Sequence, residues 1–143
     1  MTLKVLPPLV NEYTLEKSDA EYGTPGEKPT KVTFRQATKG DDIDRNRLFE
    51  EVVREYRALS DTVKVTSAIT VDDVHVKEVY MTMASCDLLD EKDKPYFNFK
   101  DKKLEMTAVE FSELFGLLPQ TVADELIECS LKCNPQWTAQ GKV

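Results

Sequence analysis

At 143 residues the chain suits one domain, with enough length to bury a core. Its formal net charge of −7 opposes general binding to phosphate backbones, which needs clustered Lys and Arg, so no nucleic-acid partner is expected. With 41% hydrophobic and 31% charged residues, no apolar run of spanning length and no signal-peptide core, it reads as cytoplasmic with no membrane partner. Cys86, Cys129 and Cys133 are odd in number and lack framework spacing, as reduced thiols do.

Residues 1–30 read as an irregular N-terminal arm. LKVLPPLV is apolar but is broken by Pro7 and Pro8, which have no amide hydrogen. SDAEYGTPGEKPTK is dense in turn formers and charge. Two readings stay open: an irregular wrap on the surface, or an arm that pairs with another subunit or partner. Lys31–Gln36 then alternates, with Val32 and Phe34 on one face, the period of a half-buried strand. Its expected neighbour is Tyr96–Phe99, with Val63–Val65 as the alternative.

Asp41 or Asp42 suits the cap of a following helix, because a carboxylate there accepts from orphan amides. Ile43, Leu48, Phe49, Val52, Val53 and Tyr56 fall near one face of it; Asp44, Arg45, Glu50, Glu51 and Arg54 fall on the other. The helix is expected to end near Leu59. Residues 61–71 are β-branched and read either as strand or as the approach to another helix. A second long helix is predicted over residues 71–89, capped by Thr70. Its buried stripe is Val74, Tyr80, Met83 and Leu88, broadened by Val79, Ala84 and Cys86.

Asp90–Pro95 is a turn, since Pro95 stops a helix and biases its predecessor away from the α region. Tyr96–Phe99 reads as a short strand. Thr107–Glu110 has the form of a capping box opening a helix with Val109, Phe111, Leu114 and Phe115, closed by Gly116 in a left-handed conformation. Pro119 suits the first turn of a last helix that buries Val122, Leu126 and Ile127. Asn134-Pro135 ends it, Trp137 packs back on the domain, and residues 138–143 fray. The expected fold is mainly α with a small minor sheet (α+β): about four helices and one or two short strands in a single domain over residues 31–137.

No catalytic, cofactor-binding or metal-binding residues are assigned, and no cofactor is expected. Cys129 and Cys133 share a helix face, but with His75 and Cys86 they match no structural zinc spacing and suit packing better. His75 reads as an exposed helix-surface residue without a nucleophile beside it. DEKDK puts lysines where a calcium loop needs oxygen ligands. Asp41, Asp42 and Asp44 are explained by capping. Phosphate-loop and dinucleotide fingerprints are absent.

Three stretches together resemble the tail assembly chaperones of long-tailed bacteriophages and prophages, over roughly residues 30–137. They are VTFRQAT leading into an acidic-capped helix, a helix ending in CDLLDEKDKPYFNF, and TAVEFSELFGLLPQTVADELIECSLKCNPQW. Asp93 departs from the pattern, standing where a turn glycine is frequent. The resemblance implies a non-enzymatic protein of the host cytoplasm that coats the tape measure protein and keeps it soluble until tube subunits assemble. It also implies absence from the mature virion, and in many members a frameshifted extension thought to recruit tail tube protein. Self-association is a further possibility. Helix-in-groove capture would use an uncovered apolar stripe, for which the candidate partner-binding residues are Tyr80, Met83, Phe111, Phe115 and Leu118. The alternative reading is a structural head–tail connector or tail component retained in the virion.

Overall fold

The computed structural model describes residues 1–48 and 71–140. In chain order these form β1 (Val10–Thr14), α1 (Glu16–Tyr22), β2 (Lys31–Arg35), α2 (residues 39–48), α3 (Val71–Thr82), β3 (Met83–Cys86), β4 (Phe99–Lys100), β5 (Lys103–Leu104), α4 (Ala108–Gly116), α5 (Gln120–Cys133) and α6 (Gln136–Gln140). The class is α+β, with one three-stranded antiparallel sheet in the order β1-β2-β3 and a separate β4–β5 hairpin.

The period-2 pattern of β2 makes it the central strand. Val32 and Phe34 point into the core and are fully buried, while Thr33 faces outward and bonds Ser85 Oγ at 2.6 Å. Its neighbours are β1 and β3, not the expected Tyr96–Phe99. The Val63–Val65 alternative, the Thr70 cap and the Phe49, Val52, Val53 and Tyr56 part of the helical stripe lie outside the described residues.

The N-terminal arm needs the largest correction. Val10–Thr14 and Glu16–Tyr22 are regular structure, and only residues 1–9, Leu15 and residues 23–30 of the arm lie outside helices and strands. Pro7 and Pro8 lack the donors a ladder needs, so β1 begins just after them. Leu15, fully buried, anchors the end of β1 to the core. It also stands at the N-cap of α1, where it offers no side-chain bond. Glu125 of α5 takes over that role: its carboxylate accepts from the amides of Lys17 and Ser18 at 2.9 Å and from Ser18 Oγ at 2.7 Å. Orphan amides at a helix start need such a partner, and here it comes from a distant helix. At the other end, a Cβ on Gly23 would lie 2.4 Å from the Asp19 carbonyl oxygen, so the chain leaves the helix where no side chain fits.

The predicted helix over residues 71–89 stops at Thr82, and Met83–Cys86 crosses into the sheet as β3. Two side chains satisfy carbonyls near the helix end. Thr82 Oγ1 donates to Glu78 O at 2.7 Å, and Arg35 Nη2 donates to Met81 O at 2.6 Å. The open edge of β2 then captures the following residues, with a bulge at Ala84 between the Thr33–Ser85 and Phe34–Met83 pairs. Tertiary pairing thus overrides a helical pattern that continued on paper.

α2 begins at residue 39, before the acids expected to cap it. Thr38 Oγ1 accepts from Asp41 N at 3.3 Å, and Asp41 Oδ2 accepts from Thr38 N at 2.9 Å, a reciprocal box in which the acid sits inside the first turn. The expected faces are partly reversed. Ile43 is exposed, whereas Arg45 is buried against Glu78.

Phe97, Phe111 and Phe115 build an aromatic column, with ring centroids 5.2 and 5.6 Å apart along it. Of the expected Tyr96–Phe99 strand only Phe99 enters a ladder, paired with Leu104. Asp93 does adopt a left-handed φ of 59°, the conformation that a glycine would take without strain. Thr107 caps α4 as predicted, accepting from Glu110 N at 3.2 Å. Gly116 is not left-handed. The helix closes instead through tight bonds from Leu117 N to Leu114 O and from Leu118 N to Phe115 O. Pro119 is the N-cap of α5, one residue before the first turn. α5 packs between α1 and α3 and against β2. Asn134 caps its end, and Trp137 is buried on the domain as expected, within the short α6. Among the described residues no helix is long and apolar enough to cross a membrane.

Candidate functional site: surfaces for a partner

The five predicted partner-binding residues do not form one exposed stripe. Met83, Phe111 and Phe115 are core residues, 3%, 0% and 6% exposed. A side chain already enclosed by its own domain has no free apolar area for a partner, so these three are corrected to packing positions. Tyr80 and Leu118 are half-buried beside them. Tyr80 spends its hydroxyl on Met106 O at 2.8 Å, and its ring lies 5.4 Å from Phe111.

The apolar surface left in water lies elsewhere. Leu3, Val5, Leu6, Leu9 and Val10 are exposed, Leu3 and Val5 almost completely. They lead into β1, whose far edge has no neighbouring strand among the described residues. Leu9 O accepts from Gln36 N and Leu15 N donates to Thr30 O, which fixes the phase of the ladder. Residues 9, 11, 13 and 15 therefore direct their backbone groups toward β2, and Val10, Glu12 and Thr14 direct theirs toward the open edge. Glu12 and the two prolines blunt that edge against indiscriminate strand addition. Val109 and Leu117 add exposed apolar area on α4. The apolar residues around Pro7-Pro8 were visible in the sequence; that they stay uncovered was not.

A second polar feature lies between α2, α3 and α6. Glu78 is 1% exposed and holds Arg45 Nε at 2.8 Å and His75 Nδ1 at 2.7 Å. Arg45 lies 5.5 Å from the centre of the Trp137 ring and donates to Trp137 O, while Trp137 Nε1 donates to Asp42 Oδ1 at 2.7 Å. Asn134 joins the seam to the sheet, accepting from Ala37 N and donating to Arg35 O. The hydrogen bond to Glu78 raises the His75 pKa from its usual 6.5 against the opposing effect of burial. His75 is thus half-buried and partnered, not a free surface residue. These groups satisfy one another and knit the helices together.

Cys129 and Cys133 pack in the core, where Cys133 Sγ donates to Phe34 O at 3.4 Å. Burial pushes the Cys86 and Cys129 thiols up to about 11, which leaves them protonated at neutral pH. Among the described residues no three His, Cys, Asp or Glu side chains converge as a metal site.

A cleft of about 240 Å³ opens between the β4–β5 hairpin, α3 and β3, and the Arg35–Asp41 ion pair lines it at 2.6 Å. Compared with protein-family models, curated proteins and solved structures, the chain has no match.

Proposed function

We propose that this protein is a tail assembly chaperone of a long-tailed phage or prophage. It is non-enzymatic and holds the apolar helices of a tape measure protein in solution during tail morphogenesis in the host cytoplasm. The family pattern carried by VTFRQAT, CDLLDEKDKPYFNF and the α4–α5 pair motivates the reading. The observation that carries it furthest is the row of uncovered apolar side chains Leu3, Val5, Leu6, Leu9 and Val10 beside an acidic domain. Contiguous exposed apolar surface of this kind marks interaction sites. The net charge of −7 opposes aggregation of the loaded complex.

The energetics suit a holding role. Each large side chain that a client buries contributes about 1.5–3 kcal/mol before ordering costs. Several copies along one long client gain avidity without a tight single site. The contact surface assigned here is residues 3–10, with Tyr80 and Leu118 at the margin of the domain. A frameshifted extension, where one is made, supplies the contact to tail tube protein.

Co-expression with the tape measure protein of the same locus tests the proposal. Co-elution on size exclusion, and client that precipitates without this chain, are expected. A triple substitution of Leu3, Val5 and Leu6 to Ser is expected to leave the fold intact and the client insoluble. A client equally soluble with and without the chain overturns the chaperone reading. Recovery of the protein from purified virions by mass spectrometry would favour the connector or tail-component reading.

A further inference from the structure

The β4–β5 hairpin carries three lysines that form no ion pair among the described residues. Lys100 and Lys103 stand directly opposite each other across the two strands. Like charges in that position destabilise a ladder. Asp101 and Lys102 make the turn between them with φ of 52° and 61°. Positive φ at both central positions is the signature of a type I′ turn, which usually takes Asn-Gly. A lysine there is strained, and such strain recurs at binding sites. Among the described residues none of Lys100, Lys102 and Lys103 takes part in an ion pair. Asp101 in the turn and Glu105, two residues past Lys103, are the nearest acids along the chain, so the three lysines outnumber them.

Lys102 and Lys103 line the cleft described above, together with Tyr80, Met81, Met83 and Leu104. The Arg35–Asp41 pair in its wall is internally satisfied, because Arg35 also donates to Met81 O. The cleft therefore joins an apolar side to two uncommitted ammonium groups, within a chain whose overall charge is −7.

We propose that this cleft binds a short acidic segment of a partner polypeptide, seating an apolar side chain against Met81 and Leu104 and a flanking carboxylate on Lys102 and Lys103. Charge complementarity selects the acid, since an incoming carboxylate relieves the Lys100–Lys103 repulsion. Length selects a peptide over a nucleic acid. Screening confines each charge to within about 8 Å at physiological salt, so a short segment meets only the local lysines. A long polyanion would run out over the acidic remainder of the domain. This inference does not rest on the chaperone reading, and its test uses no tape measure protein.

The test is an amide-shift NMR titration of the full chain with an acetylated hexapeptide of alternating glutamate and leucine. Its lysine–leucine counterpart and a thymidine hexanucleotide serve as controls. Saturable shifts at Met81 and residues 102–104, with the acidic peptide alone, are expected. The double variant K102E/K103E, both substitutions on an exposed hairpin, should keep the remaining spectrum and bind about tenfold more weakly. Equal affinity in that variant, shifts confined to other surfaces, absence of binding, or equal binding of the hexanucleotide overturns the proposal.

Discussion

Arg45 and Glu78 meet at 2.8 Å with both side chains out of water, whereas Lys100 and Lys103 face each other in a ladder without an ion-pair partner among the described residues. The two regions separate two uses of charge. A buried charge survives only if a partner and hydrogen bonds offset its desolvation, so its geometry is tightly specified. The Arg45–Glu78 pair accordingly ties α2 to α3, and the Trp137 contacts extend the tie to α6. An exposed charge keeps its hydration and needs no internal partner. The hairpin lysines can therefore stay uncommitted at small cost, which leaves them open to a ligand.

Breaking the buried side of this comparison should have the largest effect. Glu78→Ala removes the carboxylate from the Arg45 guanidinium and should cost roughly 3–5 kcal/mol, read as a lowered urea midpoint. A loss under about 1 kcal/mol would mean the seam is not structural. Glu125→Ala should cost about 2 kcal/mol, because it removes charge-assisted bonds to two amides and a hydroxyl. Its specific mark would be faster amide exchange in α1 than in α5.

The same seam predicts a pH dependence. The folded-state pKa of His75 is raised, with the Glu78 hydrogen bond as the first cause. Its contribution is complete below the unfolded value of 6.5 and is lost as pH rises through the folded value. Urea midpoints should thus decline as pH rises above 6.5, and His75→Gln should flatten that decline. A slope unchanged in the variant would assign it to another group.

The exposed side should respond weakly, and at one position in the opposite direction. Lys102→Gly removes a strained left-handed lysine and should stabilise the fold by about 0.5–1 kcal/mol, measured by thermal denaturation. Lys17→Ala breaks a surface pair with Glu128 in which the side chains are 66% and 49% exposed. The change should stay within about 0.5 kcal/mol.

Elements whose signals are local were legible in the sequence. The alternation of Val32 and Phe34 marks β2, Thr107 and Glu110 mark the start of α4, and Asn134-Pro135 marks the end of α5. Each signal acts within a few residues of the backbone group it satisfies. The candidate site was less legible. Helical spacing singled out Met83, Phe111 and Phe115 as apolar, but spacing does not distinguish a face that meets the domain from one that meets a partner. In sequence, residues 3–10 read only as part of an irregular arm, and Lys100–Lys103 only as a return to solvent, without the hairpin that sets the lysines opposite each other.

The sequence by itself determined the strand at β2, the Thr107 cap of α4, the end of α5 at Asn134 and the aromatic content of the core, because those depend on side-chain period and on near-neighbour hydrogen bonding. Only the tertiary structure decided that residues 83–86 pair as a strand, that Arg45 turns inward and that Glu125 caps α1. In each case the deciding partner is far along the chain: Phe34 for Met83, Glu78 for Arg45, Ser18 for Glu125. Such a partner exists only once the chain has folded, so no local pattern announces it.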